Sequence, residues 1–124
     1  MGTPSRIPQI RVVMLPKDTN GMGNIFGGVI LSHLDLAAGE QAREVAPHLY
    51  VTKILREVDF IAPVQVGDTV SYYTEVVKVG KTSITVRVTV EATRGVNKRN
   101  TIKVTEAEVV MVAVDEVGKP IPVK

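Results

Sequence analysis

Apolar residues recur with the spacing of a long helix in only one segment of this sequence. After that segment, apolar and polar residues mostly alternate, as they do in β-strands. The helical pattern covers LSHLDLAAGEQAREVA and stops at Pro47, which cannot continue a helix. Small residues at positions 37–39 keep part of this helix thin, so a sheet can approach it closely. Its apolar side chains fall on one face: Ile30, Leu31, Leu34, Ala38, Ala42 and Val45.

The rest of the chain predicts one strand before the helix and four after it. Residues 9–15 form the first strand, and residues 16–28 hold four glycines, which is typical of a loop. The β-type segments after the helix are residues 49–64, 66–80, 82–95 and 101–118. Their short connections predict an α+β fold with an antiparallel, meander-like sheet and one helix packed on it. Because this sheet is long for one helix to cover, we expect its other face or an edge to pair with a second copy.

Length and composition exclude several classes of protein. The 124 residues fit a single domain spanning residues 1–124. The absence of cysteine excludes disulfides, zinc–thiolate sites and cysteine nucleophiles. No stretch resembles a signal peptide or approaches the roughly 20 apolar residues that cross a bilayer. We therefore expect a soluble cytoplasmic protein with no membrane partner.

The charge pattern argues against nucleic acid as a partner. The net charge is +2 and the pI is near 9.0, without a dense basic stripe. Stacking on bases needs aromatic side chains, and the chain has only five: Phe26, Tyr50, Phe60, Tyr72 and Tyr73. A mild positive charge also suits an anionic small molecule such as a nucleotide-bearing cofactor.

Asp35 is the first candidate for chemistry, because it borders the apolar face of the predicted helix. It lies next to Leu31 and Ala42 on the helical wheel, where a carboxylate is partly desolvated. Desolvation makes a carboxylate a stronger base. From spacing alone, a solvated residue paired with a nearby cation is the commoner explanation of such a position.

The glycine-rich loop before the helix offers the second candidate. If the helix begins near Gly27, its first amide groups are unsatisfied and can stabilise a carbonyl oxygen that develops negative charge. The alternative is that Asn24 caps the helix and the glycines shape the turn. Asn24 and Asp35 are eleven residues apart, roughly 16 Å if all of them are helical. A shared site would then need residues from two subunits, which predicts an obligate dimer.

Other polar groups carry weaker signals. His33 and His48 lack partners at metal-ligand spacing, and His33 falls on the polar side of the wheel, where we expect it to be solvated. No serine lies in a nucleophile motif.

Basic residues at two turns are candidates for binding a phosphate. Lys81 is one, and a second group of basic residues is the other. That group consists of Arg94, Lys98 and Arg99. The alternative is that they are solvated turn residues, because turns are commonly polar for conformational reasons.

Taken together, these segments resemble a known family. PKDTNGMGNIFGG followed by SHLDLAA is similar to the signature of the bacterial YciA-like and mammalian cytosolic acyl-CoA thioester hydrolases. The resemblance continues through VT at 51–52, DFIAPV at 59–64, VGD at 66–68 and VGKTSI at 79–84, and it ends at residues 107–115. It covers most of residues 11–116 in order.

The resemblance implies a hotdog fold, in which about five antiparallel strands wrap one long helix. It also implies dimers with a continuous sheet, often assembled as trimers of dimers, with active sites at the dimer interface. The substrate would be an acyl-CoA, with coenzyme A present only as part of substrate and product, and no metal or other cofactor.

The same resemblance assigns roles to individual residues. Asp35 corresponds to the general base or nucleophile, and Asn24 to a loop residue contributed by the partner subunit. The amide of Gly28 would polarise the thioester carbonyl. Substrate-binding positions would be Gly27, Thr52, which helps to position water, and Lys81 and Ser83 near the CoA moiety.

Two departures from the family pattern bear on the alternatives. Some relatives have histidine where this chain has Phe26, so the loop offers no imidazole. Acyl-thioester hydratases typically pair a histidine with an acid, so Phe26 argues against that activity. A non-catalytic acyl-CoA-binding module remains open. The chain ends soon after Pro122, so we expect no CoA contact from the C-terminal extension of relatives.

Overall fold

The elements of the protein follow the predicted order. The computed structural model describes residues 6–124. A short 3-10 turn at Pro16–Asp18 precedes the α-helix. The elements are β1 (Ile10–Val13), α1 (Gly27–Val45), β2 (Leu49–Arg56), β3 (Thr69–Val79), β4 (Ser83–Arg94) and β5 (Asn100–Val114). One α-helix packed on a five-stranded antiparallel sheet confirms the α+β class and the hotdog arrangement.

The order of the strands differs from a simple meander. The sheet runs β1-β3-β4-β5-β2, so only β3, β4 and β5 lie beside their sequence neighbours, and β2 occupies the far edge next to β5. The segment predicted as one strand over 49–64 is shorter than expected. It ends at Arg56, because Glu57 has a left-handed backbone (φ 37°) and residues 57–68 form a loop.

The core lies between α1 and the inner face of the sheet. Met111 of β5 packs close to Gly39, where an added Cβ would lie 3.7 Å from the Met111 Cε atom. The thin part of the helix therefore touches the sheet as predicted, although Leu31 and Val45 are only half-buried. The buried helix residues are Ile30, Leu34, Ala37, Ala38, Gly39 and Ala42. The buried residues facing them from β4 are Ile84, Val86, Val88 and Val90.

Edge strand β2 is unusually exposed for its composition. Seven of its eight residues are exposed, and Leu49 and Val51 are 58% and 49% accessible. Within the described residues it pairs on one side only, with β5. An exposed apolar edge is a template for a further strand. In the same part of the chain, 6–124, no helix is long and apolar enough to cross a bilayer.

Candidate active site

Asp35 and Thr52 form the polar centre of the candidate site. Asp35 lies in the third turn of α1 and is half-buried. The Thr52 hydroxyl, on β2, donates a hydrogen bond to Asp35 Oδ1 at 2.5 Å. Thr52 pairs with Met111 across the sheet and its Oγ1 lies 3.6 Å from the Met111 sulfur, so its side chain is on the helix side. The helix and the edge strand therefore position the carboxylate together.

Asp35 is not part of an ordinary ion pair. Among residues 6–124, no lysine, arginine or histidine lies within salt-bridge distance of it. Its Oδ1 accepts from Thr52, and Oδ2 has no hydrogen-bond partner in the same stretch of chain. One carboxylate oxygen is thus oriented by the protein and the other can accept a proton from a substrate or water.

The start of α1 provides uncapped amide groups. Phe26 occupies the N-cap position and no side chain caps the helix. Asn24 is therefore not the cap; its backbone is held by the Asn20 side chain at 3.3 Å and by a bridge to Gln65. Because the first amides of a helix lack intrahelical acceptors, those of Gly27 and Gly28 can accommodate a negatively charged oxygen.

Two aromatic rings pack against these glycines. A Cβ on Gly28 would lie 2.6 Å from Cε2 of Phe26, and one on Gly27 would lie 3.5 Å from the ring of Phe60. Both rings are largely exposed, at 58% and 45%. Sequence reasoning missed Phe60, because the loop that carries it was predicted as strand. The DFIAP segment, with its proline, was the available signal for a loop.

The glycine amides and Asp35 of one chain lie well apart along α1. The roughly 16 Å expected between Asn24 and Asp35 assumed a helix throughout, but α1 begins at Gly27, so helical geometry fixes the separation only from that residue onward. From Gly28 to Asp35 the helix rises roughly 10 Å. Direct attack by Asp35 on a carbonyl held by the Gly28 amide of the same chain would need an approach to within about 3–3.5 Å. The separation favours a site built from two chains.

Lys81 and Ser83 lie apart from Asp35 within one chain. Ser83 pairs with Val112 of β5, whereas Thr52 pairs with the adjacent Met111. Neighbouring residues of a strand point to opposite faces, so the Ser83 side chain lies on the face away from α1. Lys81 is exposed in the turn before β4, and its carbonyl accepts from the amide of Val123 at 2.9 Å.

The histidines are structural in this fold. His33 is half-buried, with Nδ1 2.9 Å from the Val29 carbonyl oxygen and its ring 5.8 Å from that of Tyr72. The prediction of a solvated His33 is wrong, because this side of α1 packs against β3. His48 Nε2 lies 2.8 Å from the Val123 carbonyl oxygen. Within residues 6–124, no three His, Cys, Asp or Glu side chains cluster as metal ligands would.

An ion pair between buried Asp68 and partly exposed Arg94 holds the loop that carries Phe60 and supports Asn24. Arg94 donates from Nε and Nη2 to the two oxygens of Asp68, at 2.8 and 2.7 Å, and the Gln65 amide donates to the same carboxylate at 2.9 Å. Burial alone would raise the pKa of Asp68, but these hydrogen bonds outweigh it and hold the pKa below its usual range. Arg94 is thus engaged internally and is not available to a phosphate as the sequence suggested.

Comparison with known proteins identifies the family of this chain. The model of the thioesterase superfamily matches residues 22–97. The acyl-CoA thioester hydrolase YciA of Escherichia coli is 37% identical over 128 residues, covering 97% of this chain and 96% of that protein. An uncharacterised acyl-CoA thioester hydrolase of Zymomonas mobilis is 42% identical over 118 residues, covering 94% and 78% of the two chains.

A solved structure shows the same fold. The hexameric hotdog thioesterase of Campylobacter jejuni superposes with a TM-score of 0.90 at 45% identity, covering 94% of this chain and 90% of that one. Fold and site define a hotdog protein with a carboxylate on its central helix. The chain belongs to the thioesterase superfamily.

Proposed function

We propose that this protein hydrolyses acyl-CoA thioesters to free coenzyme A and a carboxylic acid. The relatives from E. coli and Z. mobilis bear the name acyl-CoA thioester hydrolase, which supports the substrate class. The observation that carries the proposal is the half-buried Asp35 carboxylate, which is oriented by Thr52 and has one oxygen without a partner in residues 6–124.

In the proposed reaction Asp35 acts as a general base. Oδ2 takes a proton from water, and the water oxygen attacks the thioester carbonyl carbon. The carbonyl oxygen becomes negatively charged and is stabilised by the Gly28 amide at the start of α1. When the tetrahedral intermediate collapses, the C–S bond breaks and the CoA thiolate leaves with its electron pair. The proton on Asp35 then passes to the thiolate or to solvent, which regenerates the base. Thiolates are good leaving groups, so no general acid and no cofactor or metal is required.

The proposed active unit is a dimer. The roughly 10 Å between Gly28 and Asp35 in one helix leads us to assign the amide and Asn24 to the partner subunit. Pairing of the exposed β2 edges would extend the sheet across two copies and bring each Asp35 close to the junction. The C. jejuni relative is hexameric, and we extend the proposal to a trimer of dimers located in the cytoplasm.

Thiol release from a panel of acyl-CoAs of different chain length tests the activity and identifies the preferred substrate. Asp35→Asn should lower kcat by at least about a hundredfold, as expected for loss of a general base, while the fold and assembly persist. The matched control is Glu116→Gln, which removes an exposed carboxylate in the turn after β5. Wild-type turnover by Asp35→Asn would refute the role of Asp35.

Two further outcomes separate the alternatives. Tight binding of acyl-CoA without thiol release would identify a non-catalytic binding module, and hydration of an enoyl-CoA without thiol release would identify a hydratase. A single turnover in ¹⁸O-water tests the covalent alternative. Label in the carboxyl group of Asp35 would identify an acyl–aspartyl anhydride that water opens at the Asp35 carbon, whereas a general base places the label in the released acid alone. Rapid-quench detection of an acylated enzyme tests the covalent route in which water attacks the acyl carbon.

A further inference from the structure

A polar groove lies on the face of the sheet that is turned away from α1. Its volume is about 440 Å³, and it runs from β1 to the hairpin that joins β4 and β5. Two arginines, one carboxylate and five hydroxyl-bearing side chains line it, with no aliphatic residue among them. Ligand pockets typically begin at about 300 Å³, so this groove is large enough for a small molecule.

The strand register places the groove residues on one face. Arg11 pairs with Ser71, and Ser71 pairs with Glu91 on the next strand. Directly opposite residues share a face. Val70 and Tyr72, which flank Ser71, are fully buried in the core, so Ser71 and its partners point outward.

The groove contains positive charge that the described residues do not neutralise. Within residues 6–124, neither Arg11 nor Arg99 has a carboxylate within salt-bridge distance. Arg11 donates from Nε to Ser71 Oγ at 3.1 Å, and Arg99 donates from Nη1 to the Gly95 carbonyl at 3.1 Å. Glu91, the lining carboxylate, is engaged by Arg6 at 2.7 Å.

Most of the arginines elsewhere are paired. Within residues 6–124, Arg43, Arg87 and Arg94 each contact at least one carboxylate, and Arg56 outside the groove does not. Since the remaining guanidinium N–H groups of Arg11 and Arg99 have no protein acceptor in residues 6–124, both can donate to an anion in the groove. Hydroxyl groups add neutral donors, including the mutually bonded pair Thr93 and Thr101 at 2.9 Å.

We propose that this groove is a binding site for a phosphate-bearing small molecule, with the phosphate held between Arg11 and Arg99. The planar guanidinium fork matches phosphate oxygens, and hydroxyl groups are common additional donors to them. Within one chain the site is separate from the Asp35 site. The two lie on opposite faces of the sheet. The groove reaches β5 only at Thr101, ten residues along that strand from Met111, which pairs with Thr52.

Calorimetric titration of the intact protein with inorganic pyrophosphate tests the site directly and does not depend on thioesterase activity. The double variant Arg11→Gln/Arg99→Gln should weaken binding about tenfold or more, because charge-assisted hydrogen bonds are lost. If replacing Arg11, which lies on β1, disturbs folding, the single variant Arg99→Gln still tests the site. Arg56→Gln is the matched control, since Arg56 also lacks a carboxylate partner in residues 6–124 and lies outside this groove.

Unchanged pyrophosphate binding in the double variant would overturn the proposal. So would no binding by the wild type, or an equal loss with Arg56→Gln. A kinetic arm identifies the source of the phosphate, and this arm alone rests on the proposed function. If the groove holds the phosphates of CoA bound to a neighbouring subunit, the double variant raises KM for butyryl-CoA and not for butyryl-pantetheine. If it holds a separate phosphate compound, pyrophosphate binding falls while both KM values stay unchanged.

Discussion

The hydroxyl of Thr52 on edge strand β2 donates to Oδ1 of Asp35 in the middle of α1. This bond links the orientation of the proposed base to the strand that is most exposed in a single chain. A partner that pairs with β2 would therefore contact the strand that orients Asp35. In the proposed function, this contact links assembly to catalysis.

Thr52 is predicted to act as a positioning residue. Thr52→Val keeps the shape of the side chain but removes the donor, and we expect kcat to fall about tenfold, which corresponds to one hydrogen bond to a charged group. Thr52→Ser retains the hydroxyl and should restore most of the activity, with KM little changed in both. Equal activity of the Val and Ser variants in steady-state thiol release would contradict this role.

Mixing two inactive variants tests the assignment of Asp35 and Asn24 to different subunits. Asp35→Ala and Asn24→Ala are each expected to lose most activity. When they are unfolded together and reassembled in equal amounts, half of the dimers are mixed, and one of the two sites in each mixed dimer is intact. Thiol release should recover to about a quarter of the wild-type value. If both residues act within one chain, every site remains defective and no activity returns.

The fold was largely predictable because its signals are periodic and local. The apolar positions of α1 and the alternation in β4 each indicate one element and its buried face. The place of β2 beside β5 was not predictable, because pairing between strands that are distant in sequence depends on the loop at 57–68. Likewise, spacing places Asp35 at the border of the helix face, but its bond to Thr52 joins two elements. The family resemblance named both residues as site positions without predicting that bond.

The start of α1 should tolerate a side chain at one glycine and not at the other. Gly28→Ala brings Cβ within 2.6 Å of the Phe26 ring, so the ring must shift, and the added methyl group lies beside the amide that we assign to the oxyanion. We expect the carbonyl oxygen to lose its close approach to this amide, with a loss of up to about a hundredfold in kcat, the cost of removing an oxyanion donor. Gly27→Ala, with a 3.5 Å contact to Phe60, serves as the matched control and should remain active. Partial rescue of Gly28→Ala by Phe26→Ala would confirm the steric cause.

The ion pair of Asp68 and Arg94 should make stability depend on pH. The pKa of the Asp68 carboxyl is lower in the folded chain than its ordinary value, so the folded state binds this proton more weakly than the unfolded state does. The contribution of the pair is therefore complete above pH 4 and is lost as pH falls through the folded pKa. Arg94→Gln leaves a buried carboxylate without its cation, and it should destabilise the protein by about 2 kcal/mol at pH 7. Urea unfolding at fixed protein concentration measures the difference in free energy of unfolding between wild type and Arg94→Gln, which should shrink toward pH 3. If this difference is the same at pH 7 and pH 3, the ion pair is not its cause.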